Sequence, residues 1–298
     1  MIEPVAFGFN DQTAVNNYFQ QKDGLSGAEI QHLALKEFKG MVETLTSKGI
    51  EIIVVPDTQV SHTPDSIFPN NWISFHEDGR VALYPMYAEN RRAERRSDIL
   101  DILGSQGFKT TCIVDYTAYE NQNCFLEGTG SIIPDRANRV AYAALSDRTN
   151  RDLFLQFCKD FNYSAIYFAA NQSVNGKRLP IYHTNVMMCV GDKFVVICLD
   201  TIDNLEERET VVSAIIRTCK EIIEITEAQM HCFAGNMLQV ENKAGARFLI
   251  MSQSAYNSLT GLQISRLNSF NEIIPIAIPT IEKYGGGSVR CMMAEVFL

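Results

Sequence analysis

The chain has 298 residues, 46% of them apolar and 20% charged, with a formal net charge of −9. That composition suits a globular protein with a sizeable core, while an acidic chain without a basic stripe is a poor partner for nucleic acid or an anionic membrane surface. No apolar run approaches the ~18 residues of a membrane span.

The start, MIEPVAFGFN, has no basic flank and no long apolar run, as an export signal would require. The eight cysteines, at 112, 124, 158, 189, 198, 219, 232 and 291, form no CxxC pair. A cytoplasmic protein with mostly reduced, buried thiols is expected. Residues 28–48 (AEIQHLALKEFKGMVETLTSK) place Leu33, Phe38, Met41, Val42 and Leu45 at helical intervals, with Gly49 as a stop signal before the strand EIIVVP. Next, FPNNWISFHEDGRVALYPM (68–86) reads as apolar run, Asp78-Gly79 turn and second apolar run, a hairpin.

The same sentence recurs in FLEGTGSIIPDRANRVAYAAL (125–145), YHTNVMMCVGDKFVVICL (182–199) and FAGNMLQVENKAGARFLIM (233–251). Their turns fall at Asp135 to Asn138, Gly191-Asp192 and Lys243 to Gly245, residues that tolerate positive φ or bond their own backbone. Segments 90–105, 149–161 and 205–220 carry helical periodicity between the hairpins. Arg91, Arg92, Arg95 and Arg96 form a short basic run, interrupted by Glu94, that reads as a solvated helix face. No linker or low-complexity stretch interrupts the pattern, so one domain over residues 1–298 is expected.

Asn71, Glu127, His183, Asn236 and Cys291 recur in these units at intervals of about 55 residues. Five units closing around an axis account for almost the whole length and leave no exposed sheet edge. The last unit, GGGSVRCMMAEVFL, lacks a partner strand, which PVAFGFN at the N-terminus is expected to supply. Equivalent residues then converge on one axial cavity able to hold a single small substrate.

Cys291 follows three glycines that let backbone approach a ligand closely, and a nucleophilic thiolate needs an acid/base group beside it. His183 sits at a repeat position; His32, His62, His76 and His231 do not and are left as ordinary histidines. No His/Cys/Asp/Glu cluster has metal-ligand spacing, so no metal is expected. Glu127 lies among small neighbours in Leu126-Glu127-Gly128-Thr129-Gly130; the Gly-x-Gly there lacks the third glycine and the following helix of a nucleotide loop. Asn71 and Asn185 offer amides that donate and accept at once, and Arg91 is a candidate bidentate clamp for a substrate carboxylate. Asn236 is read as structural.

Together, Gly285-Gly286-Gly287-Ser288-Val289-Arg290-Cys291-Met292, His183-Thr184-Asn185 and the Glu127 segment resemble the pentein, or guanidino-group-modifying, superfamily. Its members include arginine deiminases, dimethylarginine hydrolases and amidinotransferases, and the resemblance covers essentially the whole chain. It implies an α/β fold, a five-bladed propeller of ββαβ repeats with pseudo-fivefold symmetry. It also implies Cys291 as nucleophile, His183 as proton carrier, Glu127 as a binder of substrate nitrogens, and no cofactor.

Two departures from the family pattern stand out. Asn71 and Asn185 occupy places where arginine-using members carry aspartates. A buried cation favours carboxylates, whereas an amide can donate to a ureido oxygen. The motif set is therefore most similar to the citrulline-utilisation hydrolases, and the expected reaction converts the ureido group of citrulline, or a close relative, to ornithine, ammonia and carbon dioxide. The alternatives are arginine deiminase or dimethylarginine hydrolase chemistry and amidino transfer to an amine. A non-catalytic binder of a macromolecule is opposed by the intact Cys291, His183 and Glu127. The expected partner is a small amino-acid substrate, and a homodimer is compatible with the sequence without being required by it.

Overall fold

The computed structural model describes residues 1–58, 60 and 62–297. Four units repeat one plan. In the first, Ile73–Phe75 and Arg80–Leu83 form an antiparallel hairpin, the helix Asp98–Ser105 crosses over, and Cys112–Asp115 returns parallel to Arg80–Leu83. The second unit uses Ile133–Asp135, Val140–Leu145, the helix Arg151–Asp160 and Ser164–Ala169. The third uses Met188–Val190, Phe194–Ile197, the helix Leu205–Arg217 and Glu221–Glu224. In the fourth, Leu238–Glu241 and Arg247–Ser252 are followed by two short helices, Gln253–Ser258 and Gly261–Asn268, and then by Glu272–Ile276.

The middle strand of each unit pairs on both edges and is apolar for that reason: all four residues of Phe194–Ile197 are buried. The turns obey the residues they contain. Gly79 has φ +81°, and a Cβ there would stand 2.6 Å from Thr111 Cγ2, so only glycine serves. One hairpin was not anticipated: Asn171–Val174 pairs with Lys177–Pro180 around Asn175 and Gly176, both at positive φ, a two-residue turn signal plain in the sequence.

The first helix spans Gly27–Ser47 and begins with a capping box between Ser26 and Glu29. It buries Ile30, Ala34, Phe38, Met41 and Leu45, each large side chain contributing about 1.5–3 kcal/mol. Leu33, expected on this face, is exposed, since the buried stripe runs through Ile30 and Ala34 instead. His76 is an ordinary core histidine, stacked on Phe161 at 3.9 Å and bonded to Ser74.

The fifth unit differs from expectation. Ile2–Glu3 pairs in parallel with Val55–Pro56, and the Met1 ammonium donates to Ile53 O at 2.8 Å. Neither residues 4–10 nor residues 291–297 form a strand, so the expected terminal hairpin is absent among the described residues. The two ends meet by packing: Ala294 and Val296 lie against the cluster containing Ile2, Val55 and Trp72. Among the described residues the sheets remain separate, four of three strands and two of two, with no strand shared between them.

Among the described residues, no helix is long and apolar enough to cross a membrane and no group of three or more His, Cys, Asp or Glu is placed to hold a metal. All eight cysteines are free, but only four, Cys158, Cys189, Cys198 and Cys291, are buried. The basic run is not a solvated face. Arg91 is buried against Glu94, Arg92 and Arg95 pair with Glu120, and Arg96 pairs with Asp98. These acidic partners lie close by in space, so the charges are neutralised where sequence alone shows an uncompensated cluster.

Candidate active site

Four of the repeat anchors, Asn71, Glu127, His183 and Asn236, precede the first strand of a unit, whereas no strand follows Cys291 among the described residues. Asn71 ends a single helical turn, Pro69–Asn71, and His183 directly precedes another, Thr184–Val186. Glu127 caps the short helix Gly128–Ser131, whose glycines let it pack against neighbouring backbone: a Cβ on Gly128 would clash with Asn70 O. Cys291 enters a turn held by its N–H to Ser288 O at 2.9 Å. The cavity these elements enclose is lined by Asp65, Asn71, Arg91, Arg148, His183 and Cys291, with Thr13, Asn17 and the three glycines above them. Only about 10 Å³ is open, room for about one water. Asn17 Nδ2 donates to Gly286 O at 3.2 Å and Gln20 Nε2 to Gly285 O at 3.0 Å, so the chain between Thr13 and Gln20 covers the site.

Glu127 is fully buried. Its Oε1 accepts from Tyr87 N–H at 2.9 Å, its Oε2 lies 2.7 Å from His183 Nε2, and Arg148 Nη1 stands 3.6 Å away. Burial alone would raise its pKa, but Arg148, the His183 hydrogen bond and Arg91 outweigh burial and hold it at about 2. For His183 burial prevails and draws the pKa down to about 4, against the opposing pull of Glu127. At neutral pH the pair is thus a carboxylate and a neutral imidazole. Since the carboxylate only accepts, His183 Nε2 carries the proton and Nδ1 keeps a lone pair for catalysis.

Cys291 receives two amide donors, Asn185 Nδ2 and Asn236 Nδ2, each at 3.3 Å from Sγ. Asn185 therefore faces the sulfur, and its Oδ1 is buried without a partner among the described residues. Asn71 Oδ1 accepts from Arg91 Nη1 at 2.8 Å, which fixes the amide and leaves Nδ2 a buried donor without a partner among the described residues.

Arg91 lies at the cavity, yet its fork is already filled by Glu94, at 2.8 and 2.9 Å. As placed, it orients Asn71; the expected clamp on a substrate carboxylate would have to displace Glu94.

Sequence reasoning passed over three residues. Asn236, read as structural, donates to Cys291 Sγ at 3.3 Å. Arg148 stands after the second hairpin as Arg91 stands after the first, a parallel that the repeat could have revealed; it lies over the Tyr182 ring at 4.9 Å and reaches Thr13 O at 2.8 Å. Asp65, just before Phe68, is 2% exposed; its Oδ2 accepts from Asn10 and Thr13, while Oδ1 has no partner among the described residues. Burial raises its pKa, with Arg91 opposing. The cavity lining thus includes a carboxyl group, Asp65, in addition to Glu127 behind His183, which the family motifs did not disclose.

No curated protein matches the chain. Among solved structures it is similar to the arginine dihydrolase ArgZ of the cyanobacterial ornithine–ammonia cycle, with a TM-score of 0.74, 15% identity and coverage of 99% of this chain and 40% of that one. The chain thus spans two fifths of full-length ArgZ. It is similar over 100% of its length to 98% of the ArgZ N-terminal domain covalently bound to a reaction intermediate, with a TM-score of 0.72 and 16% identity. A dimethylarginine dimethylaminohydrolase adduct with 4-chloro-2-hydroxymethylpyridine aligns over 90% of both chains, with a TM-score of 0.60 and 17% identity. These likenesses show a shared α/β fold. The family model for N,N dimethylarginine dimethylhydrolase, eukaryotic, matches residues 3–298, and the chain belongs to this family, within the pentein superfamily.

Proposed function

We propose that this protein, as one catalytic domain, hydrolyses the guanidinium group of arginine or of an arginine methylated at its terminal nitrogens, with Cys291 as nucleophile. The observation that carries this reading is a pair of buried carboxyl groups at the site: Asp65 lines the cavity with Cys291 and His183, and Glu127 stands behind His183 at 2.7 Å. A cation entering a buried site needs such anionic partners to offset its lost hydration. This reverses the preference for a ureido substrate, which rested on charges missing at Asn71 and Asn185 and did not include Asp65. Four complete units and the paired N-terminal strand around this cavity support a five-bladed arrangement.

In the reaction, the Cys291 proton passes to His183 Nδ1 as sulfur bonds to the guanidinium carbon. His183 returns that proton to the leaving nitrogen as the C–N bond breaks, which frees ammonia or a methylamine. Water then attacks the S-linked carbon and gives a proton to His183. The C–S bond breaks as the remaining hydroxyl proton is lost to solvent, the neutral ureido product departs, and the proton on His183 returns to sulfur. Glu127 keeps Nε2–H in place throughout and stabilises the imidazolium formed at each transfer. The scheme requires no cofactor.

One observation favours a second reading, hydrolysis of a ureido group. Asn71 Nδ2 is a buried donor without a partner, suited to an oxygen rather than to a guanidinium N–H. Release of ammonia and methylamines should be measured from arginine, monomethylarginine, dimethylarginine and citrulline, with Cys291→Ser as control. Turnover of citrulline alone would overturn the guanidinium reading, and turnover by the serine variant would overturn the nucleophile.

A further inference from the structure

We infer that Asn236 is a positioning residue that holds the Cys291 thiolate, which deepens the reading above and rests on Cys291 being its nucleophile. Asn236 is 1% exposed and comes from the fourth unit, whereas Cys291 belongs to the C-terminal segment. Its amide has a defined sense. Oδ1 accepts the Arg290 backbone N–H at 3.1 Å and lies 3.8 Å from Cys291 Sγ, while Nδ2 donates to Asn185 O at 3.0 Å and makes the closer contact to Cys291 Sγ, at 3.3 Å.

One side chain therefore grips the residue before the nucleophile through its acceptor and the nucleophile itself through its donor. Asn185, from the third unit, supplies the second donor at the same sulfur. Hydrogen bonds from neutral amides to sulfur favour the ionised over the protonated form, since a thiolate accepts far better than a thiol. They also fix where the lone pair points. Gly235, just before Asn236, lets this turn press against the third unit: a Cβ there would stand 2.7 Å from Met187 C. The fourth unit is thereby packed closely enough for its amide to reach the sulfur.

Asn236→Asp retains shape and the acceptor for Arg290 but replaces the donor at sulfur with a carboxylate oxygen. Alkylation of Cys291 by iodoacetamide, located by peptide mass spectrometry and measured without substrate across a pH series, reads the thiolate directly. The expected result is a rate at neutral pH about tenfold below that of the unaltered protein, recovering as pH rises. With a substrate that the protein turns over, kcat falls while KM stays nearly constant. Asn236→Ala, which removes the donor without adding a charge, gives the same direction and serves if the aspartate variant does not fold. Superimposable alkylation profiles for the folded variant and the unaltered protein would overturn the inference. Because no substrate enters the alkylation assay, a wrong substrate class leaves its result intact.

Discussion

Glu127 and His183 come from different units, and their side chains meet at 2.7 Å, Oε2 to Nε2, with both residues almost wholly buried. The carboxylate fixes the imidazole tautomer, and Arg148, 3.6 Å from the same Oε2, keeps that carboxylate ionised.

Glu127→Gln should therefore lower kcat by about 10²–10³-fold, within the range set by general acid–base groups. The amide can turn its NH2 toward His183 and reverse the tautomer. A KM rise without a kcat loss, measured by steady-state kinetics, would mean that Glu127 serves binding alone.

The pH dependence follows from the same pair. His183 has a folded pKa of about 4, below the ordinary 6.5, and Glu127 one of about 2, below the ordinary 4.5. In both cases the unfolded chain binds the proton more readily. Their stabilising contribution is complete above the unfolded values and is lost as pH falls, from 6.5 to about 4 for His183 and from 4.5 to about 2 for Glu127. Melting temperature should decline through these windows, and His183→Gln should flatten the upper one. An unchanged slope in that variant would show that His183 does not titrate as described.

Gly130→Ala tests how tightly the site is assembled. A Cβ at Gly130 would lie 2.8 Å from His183 Cε1 and Nδ1 and would crowd Asn71 Nδ2 as well. Activity should fall by at least ~100-fold through displaced catalytic groups. Stability should fall by about 1–3 kcal/mol. Denaturant titration alongside kinetics separates the two, and retained activity would contradict the geometry.

Asn71→Asp exchanges the unpartnered donor for an acceptor while leaving an oxygen for Arg91. Discrimination should move toward guanidinium compounds, with citrulline weakened about tenfold relative to arginine, as substrate or as competitive inhibitor. Equal effects on both ligands would remove Asn71 from substrate selection.

Much of this architecture is written locally. The Asp78-Gly79 turn, the buried strand Phe194–Ile197 and the helix ending before Gly49 follow from φ requirements and from apolar period, which need only near neighbours. The same holds for the anchors Glu127, His183 and Cys291, each beside glycines or at a fixed place before a strand. Arg91 was harder to read. Its run resembles a solvated surface, because Glu94 and Glu120 neutralise it only after the backbone folds.

The sequence by itself thus determined the repeated units and the reactive residue types, since hairpins, helix stripes and glycine turns are properties of short segments. Tertiary structure decided which groups meet. It made Asn236, read from sequence as structural, a donor to Cys291 Sγ, occupied Arg91 with Glu94, and set Asp65 in one cavity lining with Cys291 and His183. The reason is that hydrogen bonding, ion pairing and burial depend on distance in space, and these partners stand on segments far apart in the chain.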